Sequence, residues 1–212
     1  MAKAEYLALH QDAKILEADS YGEKVLLKDQ KIIKLFRTKR LLTSSLIYPY
    51  SWRFARNAQK LHQLGIPTIE VERQFYCAAI RRYGVIYPLL SGTSLAELFK
   101  QPINNHLFIQ LAHFIAHLHD LGIYFRSLHA GNILLLDNGS MGLIDIADMR
   151  FKKNLSISEC QRNFIHFFRY SEYHPYFNEF GWQAFFNEYN QQREKTMDIY
   201  CFLVKKGIIN NL

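Results

Sequence analysis

The sequence predicts an α+β fold with two lobes, a β-rich N-terminal lobe and a mostly helical C-terminal lobe. In residues 1–91, short apolar runs separated by turn residues favour strands, with a single segment of helical spacing. Ser91-Gly92 then breaks the pattern, and most of the later sequence has helical spacing around one hairpin. We therefore expect domains at 1–91 and 92–212.

The N-terminal lobe begins with candidate strands. Residues 14–18 form a short one, and Ser20-Tyr21-Gly22 is a turn signal. Residues 23–28 and 31–36 flank Asp29-Gln30, a two-residue connection that is typical of a hairpin.

A helix and two more strands complete this lobe. Within residues 51–64, Phe54, Ala58 and Leu61 recur at helical spacing, and Gly65 with Pro67 ends the pattern. Residues 69–77 and 83–90 are predicted as strands around Arg81-Arg82.

The C-terminal lobe is predicted to be helical around one hairpin. Thr93-Ser94 caps a short helix that extends to Phe99. A long apolar helix over 106–121 closes at Gly122, and a loop over 124–132 follows. Strands over 133–136 and 141–146 form the hairpin, and aromatic-rich helical segments occupy 154–206.

The positive charge of the chain is concentrated in one window. The 212 residues include 26 Lys and Arg against 19 Asp and Glu, a net charge of +7. Residues 28–60 contain nine basic residues against the single acidic Asp29. Such a window is either a phosphate-binding patch or a solvated lysine-rich face. Without a zinc-finger or RRM-like motif, charge alone supports a nucleic-acid-binding protein, so we expect no nucleic acid.

The composition also restricts the setting. Three cysteines, Cys77, Cys160 and Cys201, are too scattered for a disulfide framework or a cysteine zinc site. Neither a run of about 18 apolar residues nor a signal peptide is apparent, so a cytoplasmic location is expected.

The most informative segment is YFRSLHAGNILL, residues 124–135, followed by GLIDIAD, residues 142–148. The predicted hairpin brings Asn132 close to Asp145, at the end of its second strand. An amide oxygen and a carboxylate are suitable ligands for Mg²⁺, which neutralises phosphate charge during phosphoryl transfer.

This segment resembles the catalytic loop and metal-binding segment of the protein-kinase-like superfamily. It is most similar to a small bacterial branch with the pattern DLHxGNIL…GLIDF, which comprises lipopolysaccharide core and Kdo kinases and the toluene-tolerance proteins. Leu118-His119-Asp120-Leu121-Gly122-Ile123 resembles the end of the helix before the loop, and Gly65-Ile66-Pro67 resembles the end of the small-lobe helix. The resemblance covers nearly the whole chain and implies the two-lobed fold of that superfamily.

The resemblance implies a site for ATP and Mg²⁺. Lys34 would contact the ATP phosphates, and Asn132 and Asp145 would ligate Mg²⁺. Gly92 would be the hinge at which adenine stacks.

Three departures from the family pattern accompany these matches. Ser127 stands where the family has the catalytic Asp, and a serine hydroxyl is not a useful base near neutral pH. The alternative residues for the role of the base are His129, Asp148 and Asp120. A Gly-rich loop is absent, and no acidic residue lies between Lys39 and Leu64, where a helix glutamate would pair with Lys34. The partner of Lys34 is then Glu70, Glu72 or no carboxylate at all.

Two other features have a functional and a structural interpretation. His113, His117 and His119 share a helix with metal-ligand spacing, but packing explains them as well. Residues 164–177 are core, a membrane-facing surface or a sugar platform, with core as the default. Basic residues near this segment could meet an anionic acceptor: Arg150, Lys152, Lys153, Arg162 and Arg169.

Two functions therefore remain open. The first is a kinase, with alignment and charge neutralisation supplying the rate; the resemblance implies a sugar hydroxyl of a lipopolysaccharide core precursor as its acceptor, at the inner face of the cytoplasmic membrane. The second is a pseudokinase that binds nucleotide or a protein partner without turnover, as the absence of the catalytic Asp favours. The sequence does not indicate an oligomeric state.

Overall fold

The computed structural model describes residues 1–37 and 49–210. The chain divides into two compact units, Met1–Ser91 and Gly92–Leu212. The first unit is built around a β-sheet and the second is mostly helical, which confirms the α+β prediction. Lys39 and Arg40 of the basic window lie outside the described residues.

An antiparallel sheet of five strands forms the first unit, in the order β1-β2-β3-β5-β4. Its outer strand β1 is exposed along its whole length, whereas β3 and β5 are largely buried. The strands are β1 Lys14–Asp19, β2 Gly22–Lys28, β3 Lys31–Arg37, β4 Arg73–Cys77 and β5 Arg82–Pro88.

The predicted hairpin joins β2 to β3. Asp29 and Gln30 both have positive φ, 49° and 58°, as a two-residue hairpin turn that follows the strand twist requires. The predicted strand over 69–77 begins only at Arg73, and the strand predicted over 83–90 spans Arg82–Pro88.

Within residues 1–37 and 49–91, two helices accompany this sheet. Helix α1 (Lys3–His10) was not predicted, since only Tyr6 of its residues is buried. The ammonium group of Lys28 donates to the carbonyls of Ala8 and Gln11 at the end of α1. Helix α2 (Tyr50–Gln63) confirms the predicted helix and buries Phe54, Ala58 and Leu61.

The second unit combines helices with short strands. β6, β8 and β9 form one sheet in the order β6-β8-β9, and β7 pairs with β10 in a two-stranded ribbon. The strands are β6 Gly92–Ser94, β7 Ile123–Phe125, β8 Ile133–Leu136, β9 Met141–Leu143 and β10 Met149–Phe151. The helices are α3 Leu95–Leu98, α4 Asn105–Asp120, α5 Ile157–Phe168, α6 His174–Phe180, α7 Trp182–Gln191 and α8 Ile199–Lys205.

The helix starts in this unit follow local capping chemistry. Ser94 accepts from the backbone N–H of Glu97, as predicted for α3, and Asn104 does the same for Leu107 at α4. Strands β6, β7 and β10 were not predicted, and the predicted strand over 141–146 ends at Leu143.

Aromatic rings fill the core of the second unit. Phe164, Phe167, Phe168 and Phe177 are fully buried, and the ring centroid of Phe168 lies 5.9, 5.0 and 5.0 Å from those of Phe164, Phe167 and Phe177. The core interpretation of residues 164–177 is therefore confirmed for the four phenylalanines.

Gly122 joins α4 to the β7–β10 ribbon. Its φ of +70° is favourable for glycine, and a Cβ there would lie only 1.9 Å from the carbonyl oxygen of Lys152. The Gly122 carbonyl accepts from the Lys152 N–H at 2.9 Å. The close approach of the two backbones therefore requires glycine.

Candidate functional site

The hairpin of β8 and β9 brings Asn132 and Asp145 together. Ile133 pairs with Leu143, and the next backbone bond runs from the Ile144 N–H to the Asn132 carbonyl at 3.0 Å. Asp145 follows immediately. The two residues therefore emerge side by side at one end of the hairpin.

The side chain of Asn132 has a fixed orientation. This residue is almost completely buried, and its Nδ2 donates to the backbone carbonyl of Ser127 at 2.9 Å. That bond identifies Nδ2 as the donor, so the other end of the amide is the oxygen Oδ1. This oxygen can coordinate a cation.

Asp145 has a left-handed backbone, with φ 51° and ψ 45°. Among residues other than glycine, Asp and Asn tolerate this conformation best. It turns the chain from the end of the hairpin into a 3₁₀ turn over Ile146–Asp148. Such a conformation costs of order 1–3 kcal/mol and is frequent at functional sites.

These two residues fit magnesium by the chemistry of their donors. Mg²⁺ prefers oxygen ligands and is commonly held by one or two protein groups together with substrate phosphates and water. The Asn132 amide oxygen and the Asp145 carboxylate match that pattern.

His129 caps the turn that ends at Asn132, and its role as a base stays a prediction. Its Nδ1 accepts from the Gly131 N–H at 3.1 Å and caps the 3₁₀ turn Ala130–Asn132. The lone pair of a neutral ring is thereby occupied, and Nε2 carries the proton. Burial lowers the pKa of His129, the charge of His166 adds to this, and Asp145 opposes it.

The other two alternatives for the missing base have cationic partners. Asp120 Oδ1 lies 2.9 Å from Arg193 Nη1, at the end of α4. Asp148 Oδ1 lies 3.4 Å from Arg126 Nη1, beside the loop. Both carboxylates are thus engaged, and Ser127 contributes its backbone carbonyl to Asn132.

A buried polar chain anchors the start of the loop and was not predicted from the sequence. Asn163 of α5 donates through Nδ2 to the carbonyl of Phe125 at 2.7 Å. Its Oδ1 lies 3.1 Å from His119 Nε2, and His119 Nδ1 lies 2.8 Å from the Tyr189 hydroxyl. An Asn on the apolar face of α5 was the available signal, because a buried amide needs partners.

The packing interpretation fits His119 on α4, whereas His113 pairs with a carboxylate and His117 is exposed. His119 is buried in this polar chain, and burial lowers its pKa to about 3. His113 Nε2 contacts Glu188 at 2.9 Å, while His117 is exposed. Within residues 1–37 and 49–210, no group of three or more His, Cys, Asp or Glu side chains could hold a metal ion.

Gly92 lies at the other end of β8 from Asn132. It pairs with Leu136, and a Cβ at Gly92 would lie 2.6 Å from the carbonyl oxygen of Leu135. Its φ is +151°. Glycine is therefore needed for strand pairing here, and its role at a hinge stays a prediction.

Lys34 lies in the first unit, in the centre of the sheet. It pairs with Val25 on β2 and Val85 on β5, and its Nζ lies 5.9 Å from the centroid of the Phe54 ring. Glu72, one of the carboxylates considered for it, pairs with Lys31 at 2.6 Å.

Comparison with known proteins identifies the fold. No family model matches the sequence, and no curated protein matches it either. Many solved structures do match, among them a crystal structure of WbdD with a TM-score of 0.51 and one described as the bifunctional kinase-methyltransferase WbdD with a TM-score of 0.53. Both are 14% identical to this chain over 88% of its length.

These similarities show a kinase-like fold. The β-sheet unit followed by the helical unit fits the two-lobed arrangement of that fold. The chain spans 43% of the length of each WbdD chain. No helix in the described part of the chain has the length and apolar character needed to cross a membrane.

Proposed function

We propose that this protein binds ATP with Mg²⁺ and transfers the γ-phosphoryl group to a sugar hydroxyl. The observation that carries the proposal is the adjacency of Asn132 and Asp145 at the end of the β8–β9 hairpin, within a kinase-like fold. Lys34 supplies the cation for the phosphates, and Gly92 lies at the adenine. The bacterial kinases that the loop resembles suggest a lipopolysaccharide core precursor as the acceptor, with the protein peripheral at the inner membrane face.

In this proposal the chain's own residues orient the reactants. When bound, Mg²⁺ neutralises charge on the phosphates. Asn132 is held by Ser127 and by the His129-capped turn, so its amide oxygen is positioned before nucleotide binds. The acceptor oxygen forms its bond to phosphorus as the bond to the β–γ bridging oxygen breaks; ADP leaves, and the hydroxyl proton passes to an oxygen of the transferred phosphoryl group or to water. Because this transition state is loose, alignment contributes more than early deprotonation of the hydroxyl.

A second candidate function is nucleotide binding without turnover. It is favoured by the engagement of each alternative base: His129 Nδ1 accepts from Gly131, and Asp148 and Asp120 are paired with arginines. In that case the protein would use nucleotide to stabilise its fold or a complex.

Thermal unfolding with ATP and Mg²⁺ tests the shared part of both candidates. A ligand at about 100 times its Kd stabilises a protein by about 2.7 kcal/mol, so we expect a clear rise in Tm. Asp145→Asn should abolish the rise, because Asn keeps the left-handed backbone but removes the charge. Asp137→Asn, in the exposed turn of the same hairpin, is the matched control. A rise that survives Asp145→Asn would disprove the metal assignment.

Single-turnover loss of the γ-phosphate in the presence of lipopolysaccharide extract separates the two candidates. Phosphate transfer in the wild type, absent in Asp145→Asn, supports the kinase. Nucleotide binding without transfer supports the second candidate. Ser127→Asp is a useful companion, since a gain in rate would mark Ser127 as the position of a missing base.

A further inference from the structure

The outer face of α2 is basic and carries an exposed tryptophan. Trp52 is 56% exposed, and Arg56 and Lys60 follow it at intervals of four residues on the same helix face. Arg53 lies beside them, with its guanidinium 5.2 Å from the centroid of the Tyr50 ring. The opposite face, with Phe54 and its apolar neighbours, is buried.

The sequence around this basic face contains no acidic residue. The stretch from Gln30 to Ile69, which includes α2, has neither Asp nor Glu. An ordinary solvated helix face mixes both signs of charge and rarely exposes a tryptophan. A surface of one sign with an aromatic ring at its edge is instead suited to an anionic interface.

We propose that this face of α2 binds the surface of an anionic phospholipid membrane. Arg56 and Lys60 contact lipid phosphates, and the ring of Trp52 lies at the level of the headgroups. Each cation near an anionic bilayer contributes about a fivefold increase in partitioning, and tryptophan is enriched at membrane–water interfaces. The proposal does not depend on nucleotide binding.

Phospholipid is favoured over nucleic acid by the pattern of the face. Sequence-independent binding of single strands uses aromatic rings interleaved along a basic groove. Here one exposed ring lies at one end of a convex helix face whose cations follow in a row, which suits a flat surface better than a strand.

The two tryptophans of the chain make a direct test possible. Trp182 is 2% exposed, with its ring centroid 5.1 Å from that of Phe177, so its emission should not respond to vesicles. We expect vesicles of phosphatidylcholine with phosphatidylglycerol to shift the Trp52 emission to the blue. Vesicles of phosphatidylcholine alone should not, and Trp52→Phe should remove the response. An unchanged wild-type spectrum with anionic vesicles would overturn the proposal.

Co-sedimentation with the same vesicles measures the role of charge. The double variant Arg56→Glu/Lys60→Glu should bind at least about 30-fold more weakly, and Arg56→Gln/Lys60→Gln gives a milder version of the change. Lys100→Glu/Lys195→Glu alters net charge equally at two exposed positions of the second unit and should bind nearly as the wild type does. Equal losses in both glutamate variants would show a nonspecific charge effect and reject the face.

Two further measurements distinguish binding to an anionic membrane from the alternatives. Binding should weaken steeply as salt is raised, because the lipid charges are screened over about 10 Å at 0.1 M. Single-stranded RNA that binds this face while anionic vesicles do not would overturn the proposal in favour of nucleic acid. These assays contain no nucleotide, so their failure and the failure of ATP binding are independent results.

Discussion

The ammonium nitrogen of Lys34 lies 5.9 Å from the centroid of the buried Phe54 ring. Phe54 comes from α2, and its ring centroid lies 5.7 Å from that of Phe36 and 5.5 Å from that of Tyr87. An aromatic ring of α2 thus lies beside the lysine. A cation above such a ring gains about 0.5–2 kcal/mol.

Replacing Lys34 should separate stability from ligand binding. We expect Lys34→Met to change the free energy of unfolding by only about 1 kcal/mol, because methionine retains most of the apolar stem. The rise in Tm with ATP and Mg²⁺ should disappear, since the phosphates lose their cation. Lys31→Met, on the same strand but paired with Glu72, is the control. If both variants respond to nucleotide as the wild type does, Lys34 is not a phosphate ligand.

His129 should be replaceable by a residue that caps the same turn. Asn can accept the Gly131 N–H as the ring does, so His129→Asn should retain the nucleotide-dependent rise in Tm. His129→Ala should lose about 1 kcal/mol of stability and bind nucleotide more weakly. Thermal unfolding with and without ATP and Mg²⁺ measures both effects. Equal loss of binding in the two variants would indicate a direct role for the imidazole.

The buried His119 should make the fold sensitive to acid. Its pKa of about 3 in the folded state lies below the ordinary value of 6.5, so the unfolded chain binds the extra proton first. The stabilisation is therefore complete above about pH 6.5 and is lost as the pH falls towards 3. Each pH unit in that window changes the free energy of unfolding by about 1.4 kcal/mol.

Chemical denaturation at about pH 7.5 and pH 5 tests this linkage. The wild type should lose about 2 kcal/mol from His119 across that interval. His119→Gln should show a smaller loss, with the remainder contributed by other groups such as His129, whose pKa is also lowered. His117→Gln, exposed on the same helix, should keep the wild-type dependence. An unaltered pH dependence in His119→Gln would contradict the prediction.

Two glycines with similar backbones should respond differently to a methyl group. Gly122 and Gly139 have φ of +70° and +80°, but only Gly122 has a backbone oxygen in the path of a Cβ. Gly139→Ala should cost about 1–2 kcal/mol, the strain of a left-handed alanine. Gly122→Ala should cost more, because Lys152 and the end of β10 must also move. If urea unfolding shows equal losses of unfolding free energy for the two variants, the ribbon adjusts to the added methyl group at little cost.

Local signals predicted the parts of the fold that depend on local pairing. Asp29-Gln30 specified a two-residue hairpin, and the spacing of Phe54, Ala58 and Leu61 specified α2. The ribbon of β7 and β10 was missed because each strand has three residues and its partner lies some 25 residues away along the chain. Helix α1 was missed because its apolar face is narrow, with Tyr6 its only buried residue.

The candidate site shows the same division. The adjacency of Asn132 and Asp145 follows from a short hairpin and could be predicted from the sequence. The anchoring of Phe125 by Asn163 joins residues that are 38 positions apart, so no local pattern reveals it. The engagement of His129 with Gly131 depends on a ring orientation that is set by the three-dimensional structure.

Ser127, His129, Asn132 and Asp145 all lie between the two strands of the β7–β10 ribbon, which pairs Phe125 with Met149. Pairing of the two strands closes the chain between Phe125 and Met149 into a loop. The conformational entropy of closing this loop is lost once, for all four residues, when the ribbon forms. Opening the ribbon would release Asn132, Asp145 and the loop together, so the candidate site would be assembled or dismantled as a single cooperative unit.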